Sequence, residues 1–275
     1  MRLTTKITLG IILSIFFISL TSIISLSFTD WKNNSSYDTV TELPQDNPTG
    51  IELAAFKTIV IDRIPFELQE RRVSSLSANC NLYFSPVSEK NNPDMLFIPE
   101  VLKEFVAVNT INDTLTVKLN LCDLGKKYKN DEYRFNAFSG VNLYFNTSKI
   151  DIINKVSALS INIKNIETDN IKINSNGNIF IDSCKAQLID PIIRGGYKEV
   201  KITTCDIKRL NLDLDYIKNW DFDKGNIEEV HITGSKEHHI TLSKNISGSK
   251  YWIPKNNDAK LNVKLQGDTA KITFP

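Results

Sequence analysis

Cleaving or eliminating across a glycosidic bond requires a paired general acid and general base. The side chains of this sequence that could supply such a pair on a strand-rich body are Asp182, Asp206, Asp213, Asp215, Asp221 and Asp223. Asp213 and Asp215 lie two residues apart and so share one face of an extended strand, opposite Leu212 and Leu214. Two aspartates outside two leucines is the pattern of a solvated strand face, and no catalytic residue is assigned. The three histidines are His231, His238 and His239. Adjacent residues of a strand leave opposite faces, so His238 and His239 cannot clamp one ion together. His231 could meet one of them only across a turn of the chain, and solvated surface is the simpler reading. Cys80, Cys122, Cys184 and Cys205 contain no C-x-x-C pair, which argues against zinc. No phosphate loop, dinucleotide fingerprint or nucleophile elbow is present. The sequence therefore yields no catalytic, cofactor-binding or metal-ligating residue, and the expectation is a protein that is not an enzyme.

Charge removes another class. The chain of 275 residues carries 33 basic and 32 acidic side chains, a formal net charge of +1. Polyanion binding needs a basic stripe, and the densest basic run is Lys126, Lys127 and Lys129. No nucleic-acid partner is expected.

The N-terminus carries the clearest signal. From Ile7 to Phe28 no charge interrupts an apolar run, and Arg2 and Lys6 stand just before it. Some 20 apolar residues cross a hydrocarbon core, and the basic flank predicts an inside N-terminus with the remainder outside. The expectation is a signal anchor over residues 1–28, with Trp31 at the interface. A cleaved signal peptide, processed near Ser25-Leu26-Ser27, is the rival reading and exports the body equally. Residues 29–50, with Asn33-Asn34-Ser35-Ser36, Pro44 and Asn47-Pro48-Thr49-Gly50, read as a tether.

Beyond Phe56 the apolar residues alternate with period two, as in Ile59-Val60-Ile61, Leu115-Thr116-Val117-Lys118-Leu119 and Leu210-Asn211-Leu212-Asp213-Leu214. Such alternation predicts short strands; Pro99 to Val106 alone reads as helical. Four segments share the pattern apolar–x–Ile–polar–small–x, beginning at Ile171, Ile179, Val200 and Val230. Two of them lie 21 residues apart, and Ala158 to Ile163 falls 21 before Ile179. Quasi-repeats near this length predict a parallel β-helix or solenoid, because stacking buries the apolar face that one short strand cannot bury alone. The expected inward rows are Ile179/Val200/Val230 and Ile181/Ile202/Ile232, with Ser183, Thr204 and Gly234 at the corner. Tyr216 to Asn226 reads as a loop inserted in one turn. An antiparallel sandwich of similar strands is the alternative. In the solenoid, Cys184 and Cys205 stack one above the other. Parallel rungs about 4.8 Å apart suit a disulfide poorly, so two adjacent free thiols are expected.

Phe56-Lys57-Thr58-Ile59-Val60-Ile61, Pro65-Phe66-Glu67-Leu68 and Asn112-Asp113-Thr114-Leu115-Thr116-Val117 resemble the opening strands and turn of the head GIN domain family of auto-transporter adhesins. The resemblance spans about residues 51–275. It implies an all-β, right-handed, pectin-lyase-like solenoid of the bacterial envelope, with adhesion as its role and no catalytic residue to carry over.

The division expected is thus an anchor over 1–28, a tether over 29–50 and a solenoid over 51–275, with opening strands in 51–125 and repeat coils in 126–275. The function expected is non-catalytic binding outside the cytoplasm, in the periplasm or at the cell surface. The partners would be the membrane, through Ile7 to Phe28, and a surface glycan or envelope protein. A structural or stress-sensing envelope component and a carbohydrate-active enzyme are the alternatives. An exposed aromatic row on one solenoid face would favour glycan adhesion; a carboxylate-lined groove would favour the enzyme.

Overall fold

The alternating segments do become strands, and nearly all of them pair in parallel. The computed structural model describes residues 39–43, 48–64, 77–87, 92–120, 123–124, 127, 136–147, 150–156, 158, 160–194, 198–242 and 248–265. The apolar run from Ile7 to Phe28, Pro65 to Leu68 and Cys122 lie outside them. Among the described residues no helix is long and apolar enough to cross a membrane.

The opening section contains β1 (Thr39–Glu42), β2 (Pro48–Glu52), β3 (Thr58–Ile64), β4 (Ser77–Ser85), β5 (Met95–Pro99), β6 (Val106–Ile111), β7 (Thr114–Asn120) and β8 (Asn136–Asn146). The helical pattern after Pro99 is a short 3-10 helix, Glu100–Phe105, that buries Leu102 and Phe105. Asn112 and Asp113 take positive φ values of 49° and 59°, the backbone that a two-residue hairpin needs, and join β6 to β7. Two segments expected in the tether are strands instead. β1 pairs with β8, and β2, from Pro48 onward, pairs antiparallel with β5. Their weak apolar periodicity concealed them, because an edge strand has less surface to bury.

From Ile152 the chain alternates between two sheets: β9 (Ile152–Val156), β10 (Ser160–Lys164), β11 (Glu167–Ser175), β12 (Asn178–Asp182), β13 (Lys185–Ile193), β14 (Glu199–Thr203), β15 (Asp206–Asp213), β16 (Asn219–Asp223) and β17 (Asn226–Gly234). β18 (Glu237–Leu242) and β20 (Lys260–Leu265) form a separate pair, and β19 (Ser249–Pro254) ends the second sheet. The first sheet runs β16-β14-β12-β10-β4-β8-β5-β2, and the second β19-β17-β15-β13-β11-β9-β3-β7-β6. The architecture is a β-solenoid, and the antiparallel sandwich is excluded. β8 pairs with the opening strands, so the regular coils begin at Ile152 and not at 126.

The register corrects the expected repeat. Ile161 and not Ala158 pairs with Ile179, a step of 18; Ile179 pairs with Val200 and Val200 with Trp220. Val230 belongs to the second sheet, over Leu210. Strands of both sheets face one core in the same way, so their apolar patterns match and cannot reveal which sheet they join. The inserted loop expected over Tyr216 to Asn226 contains β16, whose inward residues are Trp220 and Phe222 in place of β-branched ones. Inward isoleucines such as Ile161, Ile179, Ile181 and Ile189 are fully or almost fully buried, each contributing about 1.5–3 kcal/mol. In the last strand of the second sheet, Lys250 takes the inward position beside Val230. Its Nζ donates to Gly248 O at 2.9 Å, and burial holds its pKa below the usual lysine value.

One residue per coil turns the corner between the sheets with left-handed backbone: Asn165, Ser183, Thr204 and Lys224, at φ of 53° to 56°. Ser183 and Thr204 hold the expected corner; Gly234 sits at the other end of its strand. The next residues, Cys184 and Cys205, are adjacent free thiols, as the stacking predicts, and they point inward and are buried, which the sequence left open. The Cys184 amide donates to Cys205 Sγ at 3.3 Å, and the thiols donate to Asp182 O and Thr203 O. The side-chain hydrogen bond with the Cys184 thiol, then burial, pushes the Cys205 thiol well above its ordinary pKa, against the Cys184 amide, which works the other way. Left-handed backbone costs a non-glycine residue about 1–2 kcal/mol, and exposed, β-branched Thr204 gains little in return. Thr204→Gly is therefore expected to raise stability by about 1 kcal/mol, after the entropy that glycine loses on folding. A urea-midpoint shift reads the change, and a fall would mean that the threonine side chain outweighs its backbone.

Candidate binding face

β4 and β8 carry nearly the same words, Asn81-Leu82-Tyr83-Phe84-Ser85 and Asn142-Leu143-Tyr144-Phe145-Asn146, and they pair in register residue for residue. Period-two alternation sends Leu82, Phe84, Leu143 and Phe145 inward. Phe84 and Phe145 stack at 4.8 Å between ring centroids, 12° from parallel. Asparagine and tyrosine point outward. Tyr83 and Tyr144 stack at 4.7 Å and 14°, a separation equal to the strand spacing, so the rings stand upright and share their faces with each other. Tyr144 is 40% exposed. Burial, followed by the neighbouring Tyr144, raises the Tyr83 pKa.

The outward row continues on both sides. Phe97 of β5 lies opposite Tyr144, and Asn162 of β10 opposite Tyr83, with Phe180 of β12 next. Phe97 leans over Gly50: a Cβ there would stand 3.2 Å from its ring and 2.8 Å from Met95 Cε. Beside the rings runs an amide ladder. Asn81 Nδ2 donates to Asn142 Oδ1 at 3.1 Å, Ser160 Oγ to Asn81 Oδ1 at 2.9 Å and Asn162 Nδ2 to Ser160 Oγ at 3.0 Å. On the other side Ser85 Oγ donates to Asn146 Oδ1 at 3.0 Å. Among the described outward side chains of β5, β8, β4 and β10, Lys164 alone is charged, and it lies 3.6 Å from Asp182. Farther along the same sheet, Asp182, Glu199, Lys201, Asp221 and Asp223 crowd the outer face. The signal for this site was the 61-residue repetition of Asn-Leu-Tyr-Phe, which a search near period 20 passes over.

The structure scatters the six aspartates of interest. Asp182, Asp221 and Asp223 lie on the outer face of the first sheet, with Asp221 3.2 Å from Lys201. Asp206 lies in a groove of about 880 Å³ along the bend of the second-sheet strands. There Asp94, Asp113, Asp151, Glu167 and Glu228 also line the wall, interleaved with Lys57, Lys185 and Lys208. Asp151 accepts from Thr168 Oγ1 at 3.1 Å, and Asp206 from Asn226 Nδ2 at 3.1 Å. Asp213 and Asp215 come together, though at a closed corner. Lys255 Nζ donates to Asp213 at 2.6 Å and to Asp215 Oδ2 at 2.8 Å. Asp215 Oδ1 accepts from the Ser235 amide and hydroxyl, both at 3.0 Å, and lies 3.2 Å from His238 Nε2. The histidines do not converge: His231 contacts Glu229 and Tyr251, His238 contacts Asp215, and His239 lies 3.7 Å from Glu237. Among the described residues no three metal-ligating side chains come together.

Burial opposes ionisation of Asp215, yet hydrogen bonds from Lys255 and Ser235 outweigh it and hold the carboxyl well below the usual carboxylate range. Burial also opposes the Lys255 charge, and its bonds to Asp213 and Asp215 overcome that and raise its pKa. A depressed carboxyl contributes stability above its unfolded pKa of about 3.9 and loses it as pH falls through the folded value. A raised lysine contributes below about 10.4 and loses its share above that. The Tm difference between wild type and Asp215→Asn should therefore stay level from about pH 5 to 9 and close in stronger acid. Closure near neutrality would show that another group governs the corner.

No family model matches the chain, and no curated protein matches it. Among solved structures it is similar to a candidate adhesin from Parabacteroides merdae, at 14% identity and a TM-score of 0.41 over 82% of this chain and 94% of that one. A candidate adhesin from Parabacteroides distasonis aligns at 12% identity and a TM-score of 0.43, over 83% and 98% of the two chains. A candidate lipid-binding protein from the same species aligns at 11% and 0.35, also over 83% and 98%.

Proposed function

We propose that this chain is a non-catalytic, adhesin-like binding domain of a bacterial cell envelope, held outside the cytoplasm by the apolar run from Ile7 to Phe28. The observation that carries the reading is the outer face of the first sheet over β5, β8, β4 and β10, where aromatic and amide rows lie side by side and Lys164 alone is charged among the described residues. In a chain with 24% charged residues, a solvent-facing surface so depleted of charge is the character of a recognition surface. Parallel crossovers make right-handed winding the expectation for the coils. The positive flank of Arg2 and Lys6 supports the outward topology. Protease added to intact spheroplasts should digest the solenoid while a cytoplasmic marker survives. Protection of both would place the domain inside and overturn the reading.

A second reading, a carbohydrate-active enzyme, is favoured by the carboxylate-lined groove. It requires depolymerisation of a glycan by the purified chain, lost on Asp151→Asn or Asp206→Asn. Absence of turnover leaves the binding reading in place, and turnover that survives both changes would place catalysis elsewhere on the chain and overturn both readings.

A further inference from the structure

We infer that the outer face of the first sheet, centred on Tyr83 and Tyr144, binds an uncharged glycan laid across β5, β8, β4 and β10; this rests on the binding role proposed above. Three observations point to that ligand class. The first is electrostatic. Among the described residues the region carries only Lys164, paired with Asp182 of the adjoining β12, while β14 and β16 of the same sheet add glutamate, lysine and two more aspartates. A charged polymer would find no counter-charge but Lys164 among the described side chains, whereas a neutral one would lose nothing.

The second is open hydrogen-bonding capacity. The phenol hydroxyls of Tyr83 and Tyr144 make no hydrogen bond to any described residue, and each can donate and accept. Beside them Asn146 uses its Oδ1 for Ser85, and at the margin of the face Asn178 of β12 uses its Oδ1 for the Glu199 amide; the Nδ2 of each has no partner among the described residues. Sugar hydroxyls, which also donate and accept, complement such a mixed row.

The third is the posture of the rings. A protein partner is favoured by an apolar, close-packed centre. Here Tyr83 and Tyr144 each turn one face to the other and their polar edges outward, and Phe97 lies over Gly50 of β2. The amide ladder is fixed by its own cross-strand bonds. The surface is therefore held in shape before a ligand arrives, which lowers the ordering cost of binding.

The test applies the full chain in detergent to an array of neutral and acidic glycans. Retention on neutral glycans is expected, weakened about tenfold in Tyr83→Phe/Tyr144→Phe, which keeps the ring stack and removes only the hydroxyls. Tyr251→Phe, on the other sheet, should bind as wild type. Absence of retention on neutral glycans, preference for acidic ones, or indifference to the double variant would overturn the inference. A photo-crosslinking residue at Phe180 in cells separates the two levels. A crosslinked protein would overturn the glycan and keep the binding role, and a crosslink to neither protein nor glycan would overturn both.

Discussion

Phe145→Ala should destabilise the domain by about 3–5 kcal/mol, the range for emptying a buried aromatic site. Phe145 is fully buried and stacks on Phe84, itself 1% exposed. Its strand is flanked by β4 on one side and β5 on the other, and β1 also pairs with it. A void there cannot close by moving one element, because β4 and β5 hold the backbone at Phe145 in register on both sides. Denaturant unfolding followed by circular dichroism measures the loss. Phe145→Leu, which keeps most of the volume, should cost far less. A loss below about 1 kcal/mol for the alanine variant would mean that the opening strands repack freely.

Gly248→Ala should cost about 3 kcal/mol and act locally. Gly248 has φ of +84°, and a Cβ there would fall 1.9 Å from Ile227 O and 2.4 Å from Glu228 O. Both atoms belong to the backbone of β17, so neither can swing aside. Left-handed strain adds about 1–2 kcal/mol to the overlap. Since solenoid coils contact mainly their neighbours, the damage should remain at the end containing β19. Hydrogen exchange ought to show β19 opening while β12 and β13 keep their protection. Uniform loss of protection would instead mean that the solenoid unfolds as one unit.

How far the fold was legible can be judged from particular residues. Ile179-Phe180-Ile181 and Val200-Lys201-Ile202 revealed stacked parallel strands and a 21-residue step, because inward isoleucines repeat with the coil. The same economy hid the second sheet: Val230 looks like Val200, although they sit on different sheets. β16 escaped notice because Trp220 and Phe222 do the work of isoleucine. The cysteine stack was readable since identical corner slots recur at the coil length. The binding face was not, because its rows join strands 61 and 79 residues apart, and no local spacing encodes such a partnership. Asp213 and Asp215 read as a solvated strand face, but Asp215 lies beyond the end of β15 in a largely covered corner, and Lys255, 40 residues on, is brought near only by the coiling.

Among the described strands, Lys250 puts a charge in the inward row at the last rung of the second sheet. Every rung before it offers the next an apolar row and a line of open peptide groups, which is what a growing fibre offers its next subunit. An ammonium group in the row that should receive the following isoleucine makes that addition costly, since another rung would bury the charge more deeply. Among the described strands, the last rung of the second sheet thus presents a charge where the earlier rungs present an apolar row, which disfavours end-to-end addition of a second copy there.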